Sequence, residues 1–540
     1  MKRKIFSILF ALVLVLSFSL VTAVPALAAT INVPTDYSTI QAAVNASSSG
    51  DTIIVAAGTY NPTSTIVINK DNLVLQGPQA NVDPRPSQGS TRTAGSASEA
   101  VIDGTDSTLG NIILVDAENV VINGLEVKSG TKDMIYQGNP HTGTTVKYCI
   151  IHDGLGDEGV QLKKCTNGVL EYNYVFEIAD AGDGLNIADT SSYGVIRYNE
   201  VAGIHGENAA IYIYGAEHME IIGNLVRDSG IGGNDGIKVG SKGGDNAALR
   251  DILIKDNVIH DITQDGISVY MSGVTVEGNE IYNCHSENGA IYLAFAINDI
   301  TIQNNSVHDN VLNPSVKPHV GGIGIESPVD AASVHINFNN ICNNTPYGVN
   351  NNASDVVDAT CNWWGHSSGP YHLTSNPGGT GDRVSDNVCF DPWLQCSYPL
   401  LFMSEFKIDL ASIDFGNPGD DRFSVKGTLE LDLVNGDGVD ISDDVTVTVG
   451  TLCETICCET ICMVEKGKKG ETCEYKCPKG SAGIITKMKI DWKKGEFEFS
   501  MDNADLSEVT NPVTISIQIG DDFGIETILM RVVRWEYKAN

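Results

Sequence analysis

The sequence predicts an all-β protein whose larger part is a right-handed parallel β-helix, and three observations support this. First, one short unit recurs ten times across residues 111–365. Second, each unit joins an apolar strand ending in Asn to a turn and an Asp/Asn-Gly-Ile-x-Val segment. Third, apolar residues alternate with period two, as at Ile252 and Ile254, so the units are strands. A leucine-rich repeat would need a Leu-x-x-Leu-x-Leu frame, and the units lack one.

The recurring Asn marks the coils, where a coil is one turn of the β-helix. Asn tolerates the left-handed backbone of a tight bend, and stacked Asn side chains can hydrogen-bond along a column. Steps of 33 and 34 residues predict loops inserted at turns. The predicted ladder is Asn123, Cys149, Asn173, Asn199, Asn224, Asn257, Asn279, Asn305, Asn339 and Asn362. A column of small residues keeps the same period: Gly159, Gly184, Ala210, Gly236, Gly266, Ala290, Gly322 and Gly348.

Residues 1–28 have the pattern of a secretory signal peptide. Three basic residues precede an apolar run over Ile5–Val24, and Ala26-Leu27-Ala28 forms an Ala-x-Ala cleavage site. A retained membrane anchor is the alternative, but a cleavage site follows the run rather than a basic stop. We therefore expect a secreted or cell-surface protein with no membrane insertion after signal cleavage.

The charge balance limits the partners. The chain has 34 Lys+Arg against 68 Asp+Glu, a net charge of −34. Such a surface repels nucleic acid and anionic membranes. An acidic polymer could bind only through a local basic groove or bridging cations. We expect a monomer that binds an extracellular polysaccharide and no nucleic acid.

The two ends of the predicted β-helix, residues 29–400, carry a family resemblance. Ile40, Ala43 and Val44 have helical spacing and predict a short N-terminal helix that covers the edge of the first coil. This opening, together with the later Cys361–Gly365 stretch, resembles secreted pectin-lyase-like β-helix proteins with PbH1-type repeats. The resemblance covers residues 31 to about 393 and implies fold more firmly than activity.

Residues 404–540 predict a second domain, an antiparallel β-sandwich. Strands with period two alternate with turns rich in Gly, Asn and Asp. Such a module can bind carbohydrate, mediate attachment or space domains. Within it, residues 435–444 resemble a calcium loop, although Leu433 at the first ligand position cannot coordinate. A hairpin loop is favoured and Ca²⁺ is the alternative; no other cofactor is expected.

Cysteines cluster in an insertion at residues 453–477. Six of the 13 cysteines lie there, which predicts disulfides in an exported protein, with a metal cluster as the alternative. Cys389 and Cys396 flank the exit from the β-helix and could pair. Because the total is odd, at least one cysteine stays unpaired, and Cys149 in the ladder is the candidate.

The resemblance implies that the strand after the variable turn forms the substrate-bearing face. Carried over by position, the outward column is Gln161, Asn186, Tyr212, Lys238, Ser268, Tyr292 and Gly324. The next outward column is Lys163, Ala188, Tyr214, Gly240, Tyr270, Ala294 and Glu326. The candidate substrate-binding residues are Tyr212, Tyr214, Tyr270 and Tyr292, with His205 and His285 from the flanking turns.

These residue types suit chemistry on sugars. Tyrosine rings pack on pyranose C–H groups, although exposed strands favour tyrosine in any case. Lys238 could act as the base that removes the proton beside a uronic carboxylate, with Tyr212 or Tyr292 as proton donor. A lysine that merely solvates a strand face is the alternative.

The carboxylates Asp235 and Asp265, with Asp183, would fit a glycosidase, where two carboxylates flank the scissile bond. Because they recur in the Asp/Asn-Gly turn of many coils, turn chemistry is the competing interpretation. The polygalacturonase pattern is incomplete, since Gly-His-Gly and Arg-Ile-Lys motifs are absent. The arginine-centred signature of pectate lyases is absent too.

A third column contains His260 and His308 beside Asp261 and Asp309. At about 4.8 Å per coil the two histidines would lie about 10 Å apart, too far to share one metal ion. A solvated face is therefore the preferred interpretation, and we predict no metal site.

Two functions are consistent with the sequence. The first is a polysaccharide-active protein, with lyase, hydrolase and epimerase chemistry all open. The second is a non-catalytic adhesive protein in which the rod is a spacer. A copper-associated role in nitrous oxide reductase maturation is weaker, because no Met/His/Cys copper cluster is apparent.

Overall fold

The structure is a computed structural model that describes residues 28–394 and 397, and beyond residue 400 only β-strands. Gaps fall at residues 106–108, 180–181, 207, 230–233, 286–287 and 312–320. The predicted signal peptide lies outside the described residues except for its last residue, Ala28. No helix among the described residues is long and apolar enough to span a membrane.

Three parallel sheets lie within residues 30–389, and between residues 121 and 351 each coil adds one strand to each sheet. Sheet 1 has 14 strands: Thr30–Val33, Thr52–Val55, Val74–Gln76, Val121–Asn123, Thr145–Lys147, Val169–Glu171, Val195–Arg197, Met219–Ile222, Leu249–Lys255, Ser272–Glu277, Ile300–Gln303, Val334–Asn337, Val357–Asp358 and Val388–Cys389.

Sheets 2 and 3 have 11 strands each. Sheet 2 contains Gly58–Tyr60, Ala100–Asp103, Glu126–Lys128, Ile150–Gly154, Tyr174–Ile178, Glu200–Ile204, Leu225–Arg227, Val258–His260, Glu280–Tyr282, Ser306–His308 and Asn340–Cys342. Sheet 3 contains Ile66–Ile68, Ile113–Val115, Ile135–Gln137, Val160–Lys163, Leu185–Ala188, Ala209–Tyr214, Asp235–Gly240, Ile267–Tyr270, Ile291–Leu293, Ile323–Ile325 and Val349–Asn351. Two short pairs flank them, His141–Thr142 with Cys165–Thr166 and Pro370–Tyr371 with Gly381–Arg383.

The core is a single stack of aliphatic side chains enclosed by the three sheets. In sheet 3, Ile211, Ile237 and Ile267 follow one another in register and are fully buried. The predicted column of small residues has a steric cause. A Cβ added at Gly236 would lie 2.5 Å from the Gly266 carbonyl oxygen, so neighbouring coils approach too closely there for larger side chains.

The Asn ladder is confirmed from Cys149 to Asn362. In each coil the Asn Nδ2 donates to the Asn Oδ1 of the next coil, as from Asn199 to Asn224 at 3.0 Å. The backbone N–H of each ladder residue bonds the same Oδ1, and the Cys149 N–H bonds Asn173 Oδ1 at 3.0 Å. The ladder therefore satisfies buried backbone groups at every bend.

Two details of the predicted ladder are wrong. Asn123 pairs with Lys147, two residues before Cys149, so Leu125 occupies the ladder position in that coil. Asn123 instead exchanges hydrogen bonds with Asn81. The left-handed residue is the one that precedes each ladder Asn, for example Tyr198 with φ 53°, because the bend turns before the side chain enters the column.

A second polar column, which the sequence reading missed, lies at the bend after sheet 2. Asn310 Nδ2 donates to Asn344 Oδ1 at 2.9 Å, and Asn344 Nδ2 donates to Asp382 Oδ2 at 2.9 Å. Asp309, before Asn310, has φ 53°. The aspartates of the recurring His-Asp pairs are therefore left-handed turn residues.

The N-terminal helix spans Ile40–Ala46, with Thr39 Oγ1 accepting from the Ala42 N–H. Its apolar face is buried on the first strands, and Gln41 Oε1 accepts from the N–H of Val67 at 2.6 Å. Val67 belongs to the edge strand of sheet 3. The function of this helix as a cap stays a prediction. Short 3₁₀ helices lie at Pro86–Gln88 and Ala331–Ser333.

Residues 79–99 lie against sheet 2. The Gly95 N–H donates to Glu126 Oε2 at 2.7 Å, and the Ser87 N–H donates to Glu200 Oε2 at 2.9 Å. Both glutamates are fully buried on sheet 2 strands. The loop thus supplies a donor to one oxygen of each carboxylate, while His152 and Arg227 contact the other oxygens of Glu126 and Glu200.

Beyond residue 400 the strands form two mostly antiparallel sheets. One contains Leu401–Phe402, Asp522–Ile528, Val513–Ile519, Val445–Val449 and Leu452–Ile456. The other contains Val464–Lys466, Thr472–Lys476, Ile485–Asp491, Glu496–Ala504, Asp421–Glu430, Glu405–Asp414 and Trp535–Lys538. The sandwich and the domain boundaries stay predictions. The 435–444 loop and Cys396 lie outside the described residues, as does most of the cysteine-rich insertion.

Candidate functional site

The candidate site is the outward face of sheet 3. The strand register aligns Tyr212 with Asn186 on one side and with Lys238 on the other, and continues through Ser268 to Tyr292. Two residues further along each strand, a parallel column carries Lys163, Ala188, Tyr214, Gly240 and Tyr270. The two outward columns that the sequence predicts are therefore adjacent in space along these coils.

This face is recessed rather than fully exposed. Asn186 and Ser268 are buried although they point away from the core, and Tyr212, Lys238 and Tyr292 are half-buried. Turns enter and leave the strands along the two sides of the face. On one side the Lys242 Nζ pairs with Asp189 Oδ1 at 2.5 Å. A recessed polar face lowers the local dielectric and strengthens electrostatic interactions.

Lys238 lies at the centre of this face. Its Nζ is 3.5 Å from Asp235 Oδ2, 5.7 Å from the ring centroid of Tyr212 and 5.4 Å from that of Tyr270. These distances place the ammonium over two ring faces and beside one carboxylate. Three of the residues predicted to bind or act on substrate are thus brought together around Lys238.

Five acidic residues form a column along one side of the face. Each lies two residues before the first inward-pointing residue of a sheet 3 strand, because the turn leading into the strand has the same shape in each coil. The column is Asp133, Glu158, Asp183, Asp235 and Asp265, with Ala209 aligned to Asp235 in the coil between.

Asp265 is held rigidly by the next turn. Its Oδ1 accepts from the N–H groups of Asn288 and Gly289 at 3.1 and 3.3 Å. Its Oδ2 accepts from Asn288 Nδ2 at 3.1 Å and from Ser268 Oγ at 3.4 Å. Burial raises the pKa of Asp265, and these donors oppose the rise. With both oxygens engaged, Asp265 fits the turn interpretation better than a catalytic one.

Asp235 has a different environment although it occupies the same turn position. It is buried, and its carboxylate forms an ion pair with Lys238 at 3.5 Å. Burial and the nearby charge of Asp265 raise the pKa of Asp235, while Lys238 opposes the rise. A carboxyl whose pKa moves toward neutrality can exchange a proton at the working pH.

The acidic column continues toward the N-terminus. Asp183 accepts from Asn186 Nδ2 at 2.8 Å and from the Ala209 N–H at 3.1 Å, and burial raises its pKa to about 6. Burial, aided by Asp133, also raises the pKa of Glu158. Oxygens of Asp133, Asp157 and Glu158 lie within 4.8 Å of one another. Carboxylates suit Ca²⁺, but close acidic groups alone do not establish a metal site.

Aromatic rings cover the C-terminal half of the face. Tyr212 and Tyr214 are 5.6 Å apart between centroids, and Tyr270 packs edge-on against Tyr292 at 6.0 Å. Burial raises the pKa of all three of Tyr212, Tyr270 and Tyr292, the last to about 12, so these phenols retain their protons. Sequence reasoning missed Phe295, which is exposed and packs edge-on against Tyr270 at 5.1 Å.

The two predicted histidines are not joined to this face by a described contact. His205 Nε2 lies 3.2 Å from Glu177 Oε2 at the bend between sheets 2 and 3. His285 is exposed at the equivalent position three coils later, and its N–H donates to the Ile262 carbonyl at 2.7 Å. Their assignment to substrate binding stays a prediction.

The third column lies on sheet 2, as the register shows. His260 aligns with Tyr282, which aligns with His308, and the rings stack at 4.8 and 5.3 Å. One tyrosine ring therefore separates the two histidines. Their side chains instead bond the adjacent Asp261 and Asp309, at 2.6 and 2.8 Å.

The comparison with family models agrees with this geometry. Residues 183–363 match a family described as the right handed beta helix region. This stretch is a right-handed β-helix. A search of curated proteins finds no match to the chain.

Three solved structures with similar folds are distant in sequence. The A-module of a mannuronan C-5 epimerase from Azotobacter vinelandii is 16% identical with a TM-score of 0.46, covering 64% of this chain and 90% of that one. A pectate lyase is 15% identical with a TM-score of 0.43, covering 57% and 79%. An alginate lyase from Paenibacillus is 17% identical with a TM-score of 0.39, covering 56% and 99%. These likenesses concern the fold alone.

Proposed function

We propose that the protein is an exported enzyme that removes the proton beside the carboxylate of a uronic acid in an extracellular polysaccharide. The observation that carries this proposal is the position of Lys238, with its Nζ 3.5 Å from Asp235 and over the rings of Tyr212 and Tyr270. A base, a proton acceptor for that base and aromatic rings that can hold a sugar are thus combined on one recessed face.

The reaction begins when Asp235 takes a proton from Lys238. Burial raises the pKa of Asp235, which favours its holding that proton beside Lys238. The amine then removes the proton from the carbon beside the substrate carboxylate. The C–H electron pair passes into an enolate, whose charge the new ammonium of Lys238 stabilises.

A tyrosine completes the reaction. In elimination, the electron pair of the enolate forms a C=C double bond while the C–O bond to the glycosidic oxygen breaks, and Tyr212 or Tyr292 protonates that oxygen. In epimerisation, the phenol returns a proton to the same carbon from the opposite side. A phenol with a raised pKa is a weak acid, but it can protonate an alkoxide or an enolate, which are stronger bases.

Hydrolysis by two carboxylates is the less favoured alternative. Such a mechanism needs two carboxylates that can reach the substrate from either side of the bond. Asp265 is fully buried, and the Asn288 turn and Ser268 occupy both of its oxygens. The proposal therefore assigns Asp265 to the turn and Asp235 to the chemistry.

The test incubates residues 29–540 with alginate, polygalacturonate and, as a neutral control, cello-oligosaccharides in D₂O. New ultraviolet absorbance from an unsaturated sugar indicates elimination, and deuterium at the carbon beside the carboxylate without chain cleavage indicates epimerisation. Either result supports the proposal. New reducing ends without unsaturation would show hydrolysis, and binding without turnover would show an adhesive protein; both contradict it.

A further inference from the structure

We propose that Lys163 and Tyr136 form a second subsite for a sugar carboxylate, three coils N-terminal of Lys238. The site would then bind at least four consecutive sugar residues. This inference rests on the proposed function, because it concerns the same polysaccharide on the same face. It adds the direction in which the polymer lies, along the axis of the rod, and the shortest chain that fills the site.

The first observation is a repeated pair. Lys163 Nζ lies 5.8 Å from the ring centroid of Tyr136, and Lys238 Nζ lies 5.7 Å from that of Tyr212. In both pairs the lysine is in the strand that follows the tyrosine by one coil. A lysine held over a ring face keeps its position while its ammonium stays available to an anion.

The second observation is the spacing. Lys163 aligns with Ala188, Ala188 with Tyr214, and Tyr214 with Gly240 in the Lys238 strand. Three strand spacings of about 4.8 Å separate the two lysine-bearing coils by about 14 Å along the axis. In an extended polysaccharide, the length of one sugar residue is similar to the spacing between adjacent coils. Carboxylates three sugars apart would therefore meet the two lysines.

The third observation is charge. Among the described residues, no carboxylate lies within ion-pair distance of Lys163, whereas Lys242 on the flanking turn is paired with Asp189. Lys163 therefore adds an uncompensated positive charge to this face of a chain whose net charge is −34. Burial also raises the pKa of Glu158 and Asp183, so the acidic column between the two lysines carries less negative charge than its composition suggests.

The fourth observation concerns the side chains on the face between the two lysines. Two coils lie between the lysine-bearing coils: Asn186 and Ala188 occupy the first and are 3% and 2% exposed, and Tyr212 and Tyr214 occupy the second. The first of these coils therefore places no bulky side chain on the two outward columns, and the second places two half-buried tyrosine rings there. A polymer that runs from Lys163 to Lys238 therefore lies across the two tyrosine rings before it reaches Lys238.

The experiment measures binding of oligogalacturonates and oligomannuronates of two to six residues to the full chain by calorimetry. In the wild type we expect affinity to rise about tenfold or more between three and four residues. Lys163→Gln should abolish this step and leave the affinity for the shortest bound oligomer unchanged. Lys164→Gln, which removes the same charge from the adjacent exposed turn residue, should retain the step.

The outcomes separate the two proposals. A wild type that binds and turns over short oligomers without a length step overturns the second subsite alone. A step that persists in Lys163→Gln does the same. If no oligouronate of any length binds, the proposed function fails and the subsite fails with it. Thermal melts of both variants that match the wild type show that a lost step is not a folding defect.

Discussion

Asp235 and Asp265 show how one residue type takes different roles in the same turn. Both are buried at the same position of successive coils. The turn after Asp265 folds Asn288 back onto it, so four donors engage its oxygens. Asp235 faces Lys238 instead. Neighbours from adjacent coils therefore decide which aspartate can exchange a proton.

Lys238→Gln should reduce turnover by about 10²-fold or more while binding persists, because a general base is lost and the aromatic rings remain. The measurement is kcat and KM on the uronate polymer that the wild type processes. Lys242→Gln is the matched control, since it removes a lysine from the flanking turn and should leave kcat within about twofold. Equal losses in both variants would contradict the assignment of Lys238.

The pKa of Asp183 predicts how stability changes with pH. An unfolded aspartate titrates near pH 3.9, and burial raises the folded pKa of Asp183 to about 6. Between these values the folded protein binds more protons than the unfolded chain, so this carboxyl favours folding less as the pH rises. The full loss is about 3 kcal/mol, complete above about pH 6.

As the pH rises from about 4 to about 7, Asp183→Asn should therefore lose less stability than the wild type. Urea unfolding at several pH values measures the difference, and Asp153→Asn, at an exposed turn, is the control. Parallel stability curves for Asp183→Asn and the wild type would show that Asp183 ionises in the folded protein as it does in the unfolded chain.

At the scale of elements, the Asn ladder joins one coil to the next. Each ladder Asn donates to a carbonyl of the preceding coil and accepts from the backbone of that coil, as Asn257 does with Ile221 and Asn224. A bend without these contacts would leave buried N–H and C=O groups unpaired. The ladder therefore lets three-residue strands stack without helices between them.

Asn257→Leu and Asn279→Leu should each lower the free energy of unfolding by about 1–3 kcal/mol, because each leaves buried backbone groups without partners. Thermal and urea unfolding measure the loss. Asn45→Leu, at an exposed helix position, makes the same substitution without touching the ladder and should change stability by about 0.5 kcal/mol or less. Unchanged melts for both ladder variants would contradict this role.

The loop at residues 79–99 depends on a buried ion pair. Arg92 Nε and Nη2 donate to the two oxygens of Glu99 at 3.0 and 2.8 Å, and both side chains are almost fully buried. Glu99→Gln should destabilise the protein by about 3–5 kcal/mol, because it leaves a buried guanidinium without its counter-charge. Glu217→Gln removes an exposed partner 3.6 Å from Arg250 and should have little effect on urea unfolding.

At the scale of the whole molecule, a net charge of −34 opposes the approach of an anionic polymer. Raising the ionic strength from about 0.01 M to about 0.15 M shortens the screening length from about 30 Å to about 8 Å. We therefore expect kcat/KM on a uronate polymer to rise over this range, while binding of a neutral oligosaccharide stays unchanged. A steady fall with added salt would show that local attraction by the lysines dominates instead.

The sequence alone determined the repeat, the parallel stacking and the two outward columns on sheet 3. These follow from local rules, since alternation of side chains and the spacing of bends recur in every coil. The same rules misplaced the ladder at Asn123, because Asn at a strand end and Asn in the ladder look alike in sequence. Only the register with Lys147 distinguishes them.

The tertiary structure decided what the face can do. Lys238 and Asp235 are close in sequence, but the rings around Lys238 come from the coils before and after it, Tyr212 and Tyr270. The donors that hold Asp265, from Asn288 and Gly289, likewise come from the next coil. Burial, pKa shifts and hydrogen-bond partners depend on contacts between coils, and a one-dimensional pattern does not contain those contacts.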